Sequence, residues 1–212
     1  PFLYGAQPNM GLYFQPDGPH ENPADLLPRG KIKEAREVQE AAAQQLRQDL
    51  VFVGTKLNAI GCEGLNLDTG GSAGDADFLA ALQAVRDLTK AAPNMPVIMG
   101  GSGEFVLGMH GEVEFEGKQL AGMYPHEQAE AAQSAGAGIY GVAIGTKTTE
   151  SVAWNIARAV TFVKAAVAAV NIPVHANVGM GVGGVPMMEA PPIDSVTRAS
   201  KSLVQIGKAD GL

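Results

Sequence analysis

The chain has 212 residues, of which 46% are hydrophobic, and this length suits one domain with a sizeable core. Its net charge is −7, so its surface repels phosphate backbones and anionic lipids. This argues against a partner that is a nucleic acid or a membrane surface. Cys62 is the single cysteine, which excludes an internal disulfide and indicates a reducing compartment. We therefore expect a cytoplasmic protein.

The residue pattern in the first part of the chain predicts two strands, a long loop and a long helix. Residues 1–6 form a short apolar run that is typical of a buried strand. Residues 7–30 are rich in turn-forming Pro, Gly, Asn and Asp, which predicts a long structured loop. From residue 31, apolar side chains recur at helical spacing and predict an amphipathic helix that ends at Gly61. The second strand covers residues 64–68.

The middle of the chain repeats the alternation with an insertion. An apolar series at helical spacing follows Asp75 and is closed by Pro93, and the next strand covers residues 97–99. Alternating residues around a turn predict a small hairpin at 110–121, inserted into a strand-to-helix loop. A proline-opened helix then covers residues 125–135.

The last part of the chain continues the alternation to its final residue. Apolar runs predict strands at 139–144 and 173–178, and a last strand that starts in 209–212. Helical spacing of apolar residues predicts helices at 152–170 and 193–206. The chain thus contains about five strand–helix units and one further strand, which predicts a parallel sheet with right-handed crossovers.

Two α/β architectures fit this alternation. An open doubly wound sheet needs a switch point in its strand order, and an eight-unit barrel needs two more units than this chain contains. Glycine-rich loops follow three different strands, and barrels build their sites from many such loops on one face. We therefore predict an incomplete (β/α)8 TIM-barrel type of fold, with about six strands and five helices in one partial domain over 1–212.

A carboxylate and glycines follow the second predicted strand. Asp68 stands at the strand end, and Gly70 and Gly71 lead toward the next helix. Backbone N–H groups at a helix start could hold an anion or position a polar substrate. The same residues also fit a tight turn whose helix is capped by Ser72 and Asp75.

A second glycine loop follows the third strand. Gly101 and Gly103 precede Glu104, which would be a general base if it were partly buried. The alternative is a solvated glutamate that interacts with a helix dipole.

A third loop contains Gly181, Gly183 and Gly184 in a G-x-G-x-G-G spacing. This is a weak match to a dinucleotide fingerprint, and no acidic residue ends the next strand at the right distance, so we reject nicotinamide binding. Close approach of a large flat cofactor, or of a partner that carries one, stays open. The glycines of the two preceding loops, Gly70, Gly71, Gly101 and Gly103, are candidates for the same contact.

The four histidines are scattered and form no zinc-type pair, so we expect no metal site. His175 lies on a predicted strand, where a satisfied interior residue is the commoner role. Cys62 has the character of a small buried residue.

Several long segments resemble one known family. They are Tyr4-Gly5-Ala6-Gln7-Pro8-Asn9-Met10-Gly11-Leu12-Tyr13, Pro16-Asp17-Gly18-Pro19, Val106-Leu107-Gly108-Met109-His110-Gly111, Ala153-Trp154-Asn155-Ile156-Ala157-Arg158-Ala159-Val160-Thr161-Phe162, Gly179-Met180-Gly181-Val182-Gly183-Gly184 and Pro191-Pro192-Ile193-Asp194-Ser195-Val196-Thr197-Arg198-Ala199-Ser200-Lys201. Together they resemble the dimethylamine:corrinoid methyltransferases of methylotrophic methanogens and some bacteria. The resemblance runs over the whole chain and covers the middle of the family's longer protein.

The resemblance implies a barrel enzyme that uses pyrrolysine, a lysine derivative with a cyclic imine. In the family, pyrrolysine follows a segment similar to Ala209-Asp210-Gly211-Leu212 and is encoded by an amber codon. We therefore expect that an amber codon after Leu212 was taken as a stop, and that this chain is a truncated form.

The resemblance also implies the reaction and the partners. Dimethylamine adds to the imine, and the Co(I) of a corrinoid carried by a partner protein takes one methyl group, which releases monomethylamine in methanogenesis or methylamine catabolism. The chain itself would bind no cofactor directly, and the full-length protein would be a homo-oligomer.

Position alone suggests the residues for this chemistry. Asp68 and Glu104 are the candidates for the acid and base, and Gln7 and Asn177 are candidates for orienting the substrate. Two alternatives stay open: a truncated non-catalytic remnant, or a pyrrolysine-independent corrinoid methyltransferase for another methylated amine.

Overall fold

A computed structural model describes residues 3–5, 10–68, 70–108, 111–144, 153–177, 184–185 and 188–212. Within the described residues, five parallel strands form the main sheet and lie side by side in the order in which they occur in the chain. The strands are β1 (Leu3–Gly5), β2 (Gly64–Leu67), β3 (Val97–Gly100), β6 (Ile139–Val142) and β7 (Val174–Ala176). Gly211 forms a parallel bridge with His175, so the start of a sixth strand borders β7.

The helices connect consecutive strands of the sheet. The described α-helices are α1 (Pro23–Leu26), α2 (Ile32–Ala59), α3 (Asp75–Ala91), α4 (Pro125–Ala135), α5 (Ala153–Ala169) and α6 (Ile193–Gln205). Because the strands of this sheet lie side by side in the same order as in the chain, the sheet has no switch point in its described strand order. Right-handed crossovers then bring the helices to one side of the sheet.

One face of the sheet forms the core with these helices. Its side chains are buried and belong to a single hydrophobic cluster that also contains side chains from α2 to α6: Leu65, Leu67, Val97, Met99, Tyr140, Val142, Val174 and Ala176. The residues that alternate with them point to the opposite face, which is less buried and more polar. The sheet is therefore packed on one side and open on the other.

The predicted α/β alternation is confirmed by this architecture. The predicted hairpin is present as two antiparallel strands, β4 (Glu114–Phe115) and β5 (Lys118–Gln119). The long loop before α2 contains α1 and two 3₁₀ turns, Met10–Tyr13 and Leu27–Arg29, in its described part.

The predicted cap of α3 is wrong in its residues. The helix begins at Asp75 with Gly74 as its N-cap, and no side chain caps it there. Instead, the Asp77 carboxylate accepts a hydrogen bond from the Ala73 N–H at 3.1 Å. A Cβ at Gly74 would lie 3.0 Å from the Leu107 carbonyl oxygen, so the loop from β3 packs against this turn and leaves little room for a side-chain cap.

None of the helices in the described part of the chain combines the length and apolarity that a membrane crossing requires.

Candidate functional site

A cavity of about 300 Å³ lies on the open face of the sheet, at the carboxyl ends of its strands. It is lined by Asn66, Asp68, Gly100, Gly101, Gly141, Val142, Ala143, His175 and Asn177. In parallel α/β sheets this end is where ligands bind, because the strand-end loops converge there. The cavity is therefore the candidate active site.

The cavity exists because one row of the sheet is almost free of side chains. Gly100 pairs with Gly141, Gly141 pairs with His175, and His175 pairs with Gly211. Paired residues on neighbouring strands point to the same face. Three glycines thus leave space around one imidazole, and a Cβ at position 141 would lie only 2.7 Å from His175 Nε2.

Asp68 and Asn177 meet at this cavity, as expected from their positions after β2 and β7. Both are exposed, so their polar groups are accessible to a ligand that enters from the carboxyl end of the sheet. Asn66 lies two residues before Asp68 on the same face and adds an amide to the lining. The structure thus brings the predicted carboxylate and orienting amide together, while their roles stay predictions.

His175 is the lining residue whose importance the sequence did not show. The sequence predicts a satisfied core or barrel-interior residue, and the structure shows a half-buried side chain that lines the cavity. Burial lowers the pKa of His175, and the negative charge of Asp68 partly opposes this effect. Burial therefore favours the neutral form of the ring. The alternation of side chains along a strand puts His175 on the same face as Asn177. This is the sequence pattern that could have identified His175 as a lining residue.

Glu104 does not line the cavity. Its carboxylate forms an ion pair with Arg158 on α5, and its side chain is 15% exposed. The pair ties the loop after β3 to the helix of the next strand–helix unit. The general-base role of Glu104 stays a prediction, with this ion pair as a competing structural role.

The glycine loop after β3 is held from beneath by Gln128. The Gln128 Oε1 atom accepts a hydrogen bond from the Ser102 N–H, and Nε2 donates to the Gly103 carbonyl, each at 3.1 Å. A Cβ at Gly101 would lie 2.3 Å from the Tyr140 hydroxyl, so this glycine is required for packing. Gly103 has φ +125° and open space where a Cβ would be, so this position leaves room for a docking molecule.

Packing also explains the other described glycines of the predicted partner loops. A Cβ would lie 2.8 Å from the Phe78 Cβ at Gly71, and 2.8 Å from the Ile156 Cα at Gly184. At Gly70 it would lie 3.2 Å from the Gly100 carbonyl oxygen at the end of β3. Contact of these loops with a partner or cofactor stays a prediction, since internal packing alone accounts for the absence of side chains.

Three of the predicted site residues, Gln7, Gly181 and Gly183, lie outside the described residues. Within the ranges that the structure describes, no three His, Cys, Asp or Glu side chains are arranged to hold a metal ion. Cys62 is buried, and its thiol donates to the Gly64 carbonyl at 3.1 Å.

Comparison with known families supplies the substrate class. The model of a family described as dimethylamine methyltransferase (Dimeth_PyL) matches residues 1–212. The chain belongs to the dimethylamine methyltransferase family. This confirms the resemblance that the sequence motifs indicated, over the full length of the chain.

The geometry suits a small cationic amine of the kind that names this methyltransferase family. The cavity offers a carboxylate, two amides and a neutral imidazole within an opening of a few hundred Å³. A carboxylate attracts an alkylammonium ion, amides orient it, and a neutral imidazole can accept a proton.

Proposed function

We propose that this chain is part of an enzyme that transfers a methyl group from dimethylamine to the Co(I) of a corrinoid carried by a partner protein, with release of monomethylamine. The observation that carries this proposal is the match of the dimethylamine methyltransferase family to residues 1–212. The polar cavity at the carboxyl ends of the strands supports it, because it provides a place for a small ammonium ion.

We propose further that the sheet is part of a (β/α)8 barrel. Its strands are parallel and follow one another in chain order, and Gly211 starts a sixth strand beside β7. A barrel wall requires helices on one side of the sheet only, with the face that carries no helices directed inward. In that arrangement the cavity opens at the barrel's carboxyl-terminal end.

Asp68 is the proposed binding group for the substrate nitrogen. Dimethylamine is mostly protonated at neutral pH, so the enzyme meets a cation. Asp68 is exposed at the end of β2 and places a carboxylate in the cavity lining. The side-chain oxygens of Asn66 and Asn177 can accept hydrogen bonds from substrate N–H groups that do not donate to Asp68. Gln7 remains a proposed orienting residue, outside the described ranges.

The position of Gly211 supports the proposed electrophile. Side chains alternate along a strand, so a residue two places after Gly211 would point to the same face as Gly211 and His175. In the family, pyrrolysine follows a segment similar to Ala209-Asp210-Gly211-Leu212, which corresponds to that place. Its imine supplies an electrophilic carbon when present, and Asp68 and His175 would lie on the same face.

The partner corrinoid protein must approach the carboxyl-end loops, because the methyl group leaves through the mouth of the cavity. The loop after β3 suits this contact. Phe105 and Leu107 are 48% and 60% exposed, and Gly103 between the strand and these residues has open space beside it. Exposed apolar side chains at a site mouth are typical of protein–protein contact.

The test is methyl transfer by the full-length enzyme with its reduced corrinoid partner. Dimethylamine, monomethylamine and trimethylamine are compared as substrates, with cobalt absorbance and amine products as readouts. We expect transfer from dimethylamine in preference to the others. A preference for trimethylamine or monomethylamine would contradict the proposed substrate, and no transfer from any methylated amine would contradict the activity.

A further inference from the structure

His175 lies in the cavity at a place where a substrate nitrogen can reach it. Its neighbours in the row across the sheet are Gly141 and Gly211, which have no side chains to cover the ring. His175 Nε2 lies against the Gly141 backbone, within 2.7 Å of where a Cβ would be. The strand pairing therefore holds the imidazole in a fixed place while the surrounding glycines leave space for a small molecule.

Burial favours the neutral form of the His175 ring, whereas the negative charge of Asp68 favours a proton on it. Among the described residues that line the two cavities beside His175, the titratable side chains are Asp68 and Asp210. Asp210 Oδ2 accepts a hydrogen bond from the Val174 N–H at 2.8 Å, so this carboxylate is engaged by the backbone. Asp68 remains on the solvent side of the cavity, where it can stabilise an imidazolium.

We propose that His175 is the proton acceptor that converts dimethylammonium into free dimethylamine in the site. This inference rests on the proposed function and assigns its base. An N–H bond of the ammonium breaks, its electron pair stays on nitrogen, and the proton bonds to the imidazole. The amine then has the lone pair that it needs to add to an electrophile. The proton returns to the nitrogen before the methyl group leaves, so monomethylamine is released and His175 is again neutral.

The geometry favours His175 over Glu104, one of the two carboxylates that the sequence suggested for the acid and base. Glu104 is paired with Arg158 and is not among the residues that line the cavity. An imidazole is also a stronger base than an ordinary carboxylate, and its usual pKa lies closer to neutral pH, which suits a general base.

The first experiment compares full-length wild type, His175→Gln and His20→Gln with the reduced corrinoid partner. His20 is the matched control, since its ring contacts Gln45 Oε1 at 3.0 Å, away from the cavity lining. We expect His175→Gln to lower kcat/KM by roughly 10²–10⁴-fold, the usual weight of general acid–base catalysis. His175→Gln should also abolish the decrease of kcat/KM at acidic pH. His20→Gln should keep the wild-type kcat/KM and its decrease at acidic pH. Wild-type turnover with an unchanged acidic limb in His175→Gln would overturn the proposal.

A chemical rescue separates catalysis from packing. Added imidazole should raise the turnover of His175→Ala at least 10-fold, because the row of glycines leaves room for the free ring. A variant that folds, binds dimethylamine and is not rescued would show that His175 supports the structure only.

A readout without turnover separates this inference from the proposed function. In wild type, the His175 Cε1–H resonance should shift on addition of dimethylammonium, and its titration midpoint should change. Turnover without any shift of this signal overturns the role of His175 but keeps the function. A shift with saturable binding but no methyl transfer contradicts the function and keeps His175 as the group that contacts the amine.

Discussion

Asp68 contributes a negative charge both to the cavity and to His175. The structure places the carboxylate in the same lining as the imidazole, and its charge raises the pKa of His175 against the effect of burial. A change at this one residue therefore has two separable consequences, one for substrate binding and one for the titration of the histidine.

We expect Asp68→Asn to lower kcat/KM for dimethylamine by roughly 10- to 100-fold, because a hydrogen bond to a charged partner is worth about 1.5–3 kcal/mol. The pKa of His175 should fall, since Asp68 raises it in wild type. Steady-state kinetics and a proton NMR titration of His175 measure the two effects. A loss of 10²–10⁴-fold in kcat with unchanged binding would assign the proton transfer to Asp68 itself.

Glu104→Gln is the matched comparison, since it also removes one carboxylate from a strand-end loop. Because Glu104 is paired with Arg158 outside the cavity lining, we expect turnover to change by less than about 5-fold. The loop should become less ordered, which amide hydrogen exchange at residues 101–108 would detect. A fall in methyl transfer of about 100-fold or more, with corrinoid docking intact, would make Glu104 the base.

At the scale of elements, the glycine loop after β3 is a packed structure with one open position. Gln128 on α4 bonds to both Ser102 and Gly103, and Tyr140 on β6 approaches Gly101. The loop is thereby tied to two elements that follow it in the chain. Its shape depends on these contacts as well as on its glycines.

Gly101→Ala should destabilise the protein by about 1–3 kcal/mol, because the new methyl group would lie 2.3 Å from the Tyr140 hydroxyl. Urea unfolding measures the loss. In the double variant Gly101→Ala/Tyr140→Phe, removal of the hydroxyl should recover part of that stability, so the two changes should not be additive. Additive effects would show that the loop moves away from Tyr140 instead.

The same loop carries the proposed contact with the corrinoid protein. Leu107→Asp should weaken docking by roughly 10-fold or more, because a charge replaces an exposed apolar side chain at the contact. Phe52→Asp is the control, since Phe52 is 62% exposed but lies on α2. Calorimetry with the corrinoid protein should distinguish them, with dimethylamine binding unchanged in both. Equal docking by both variants would exclude this loop from the interface.

At the scale of the whole molecule, the packed face of the sheet limits stability at high pH. Tyr140 is fully buried at the centre of this face, and burial raises its pKa above the usual value of 10.0. The unfolded chain therefore loses the Tyr140 proton at a lower pH than the folded chain. Stability from this group is complete below pH 10.0 and declines as the pH rises above it.

We expect the free energy of unfolding to fall with a steeper slope above pH 10 in wild type than in Tyr140→Phe. The difference should approach about 1.4 kcal/mol per pH unit for one group. Tyr124→Phe should keep the wild-type slope, because Tyr124 is 48% exposed. Urea unfolding from pH 8 to 11 tests this, and parallel slopes for wild type and Tyr140→Phe would contradict it.

Local patterns in the sequence were sufficient to predict the helices, the strands and part of the site. Periods of about 3.6 and two residues reflect which side chains must be buried, so the alternation of strands and helices follows from them. Because strand ends of a parallel sheet meet at one edge, Asp68 and Asn177 could be placed together before the structure was known.

What tertiary structure alone decided is the environment of each side chain. The pairing of Gly100, Gly141, His175 and Gly211 creates the cavity, and pairing depends on strand register, which joins residues far apart in the chain. The partner of Glu104 lies 54 positions away on α5, so no local pattern could show that this carboxylate is paired. The environment of His175 has the same origin, because its burial and its charged neighbour Asp68 come from other parts of the chain.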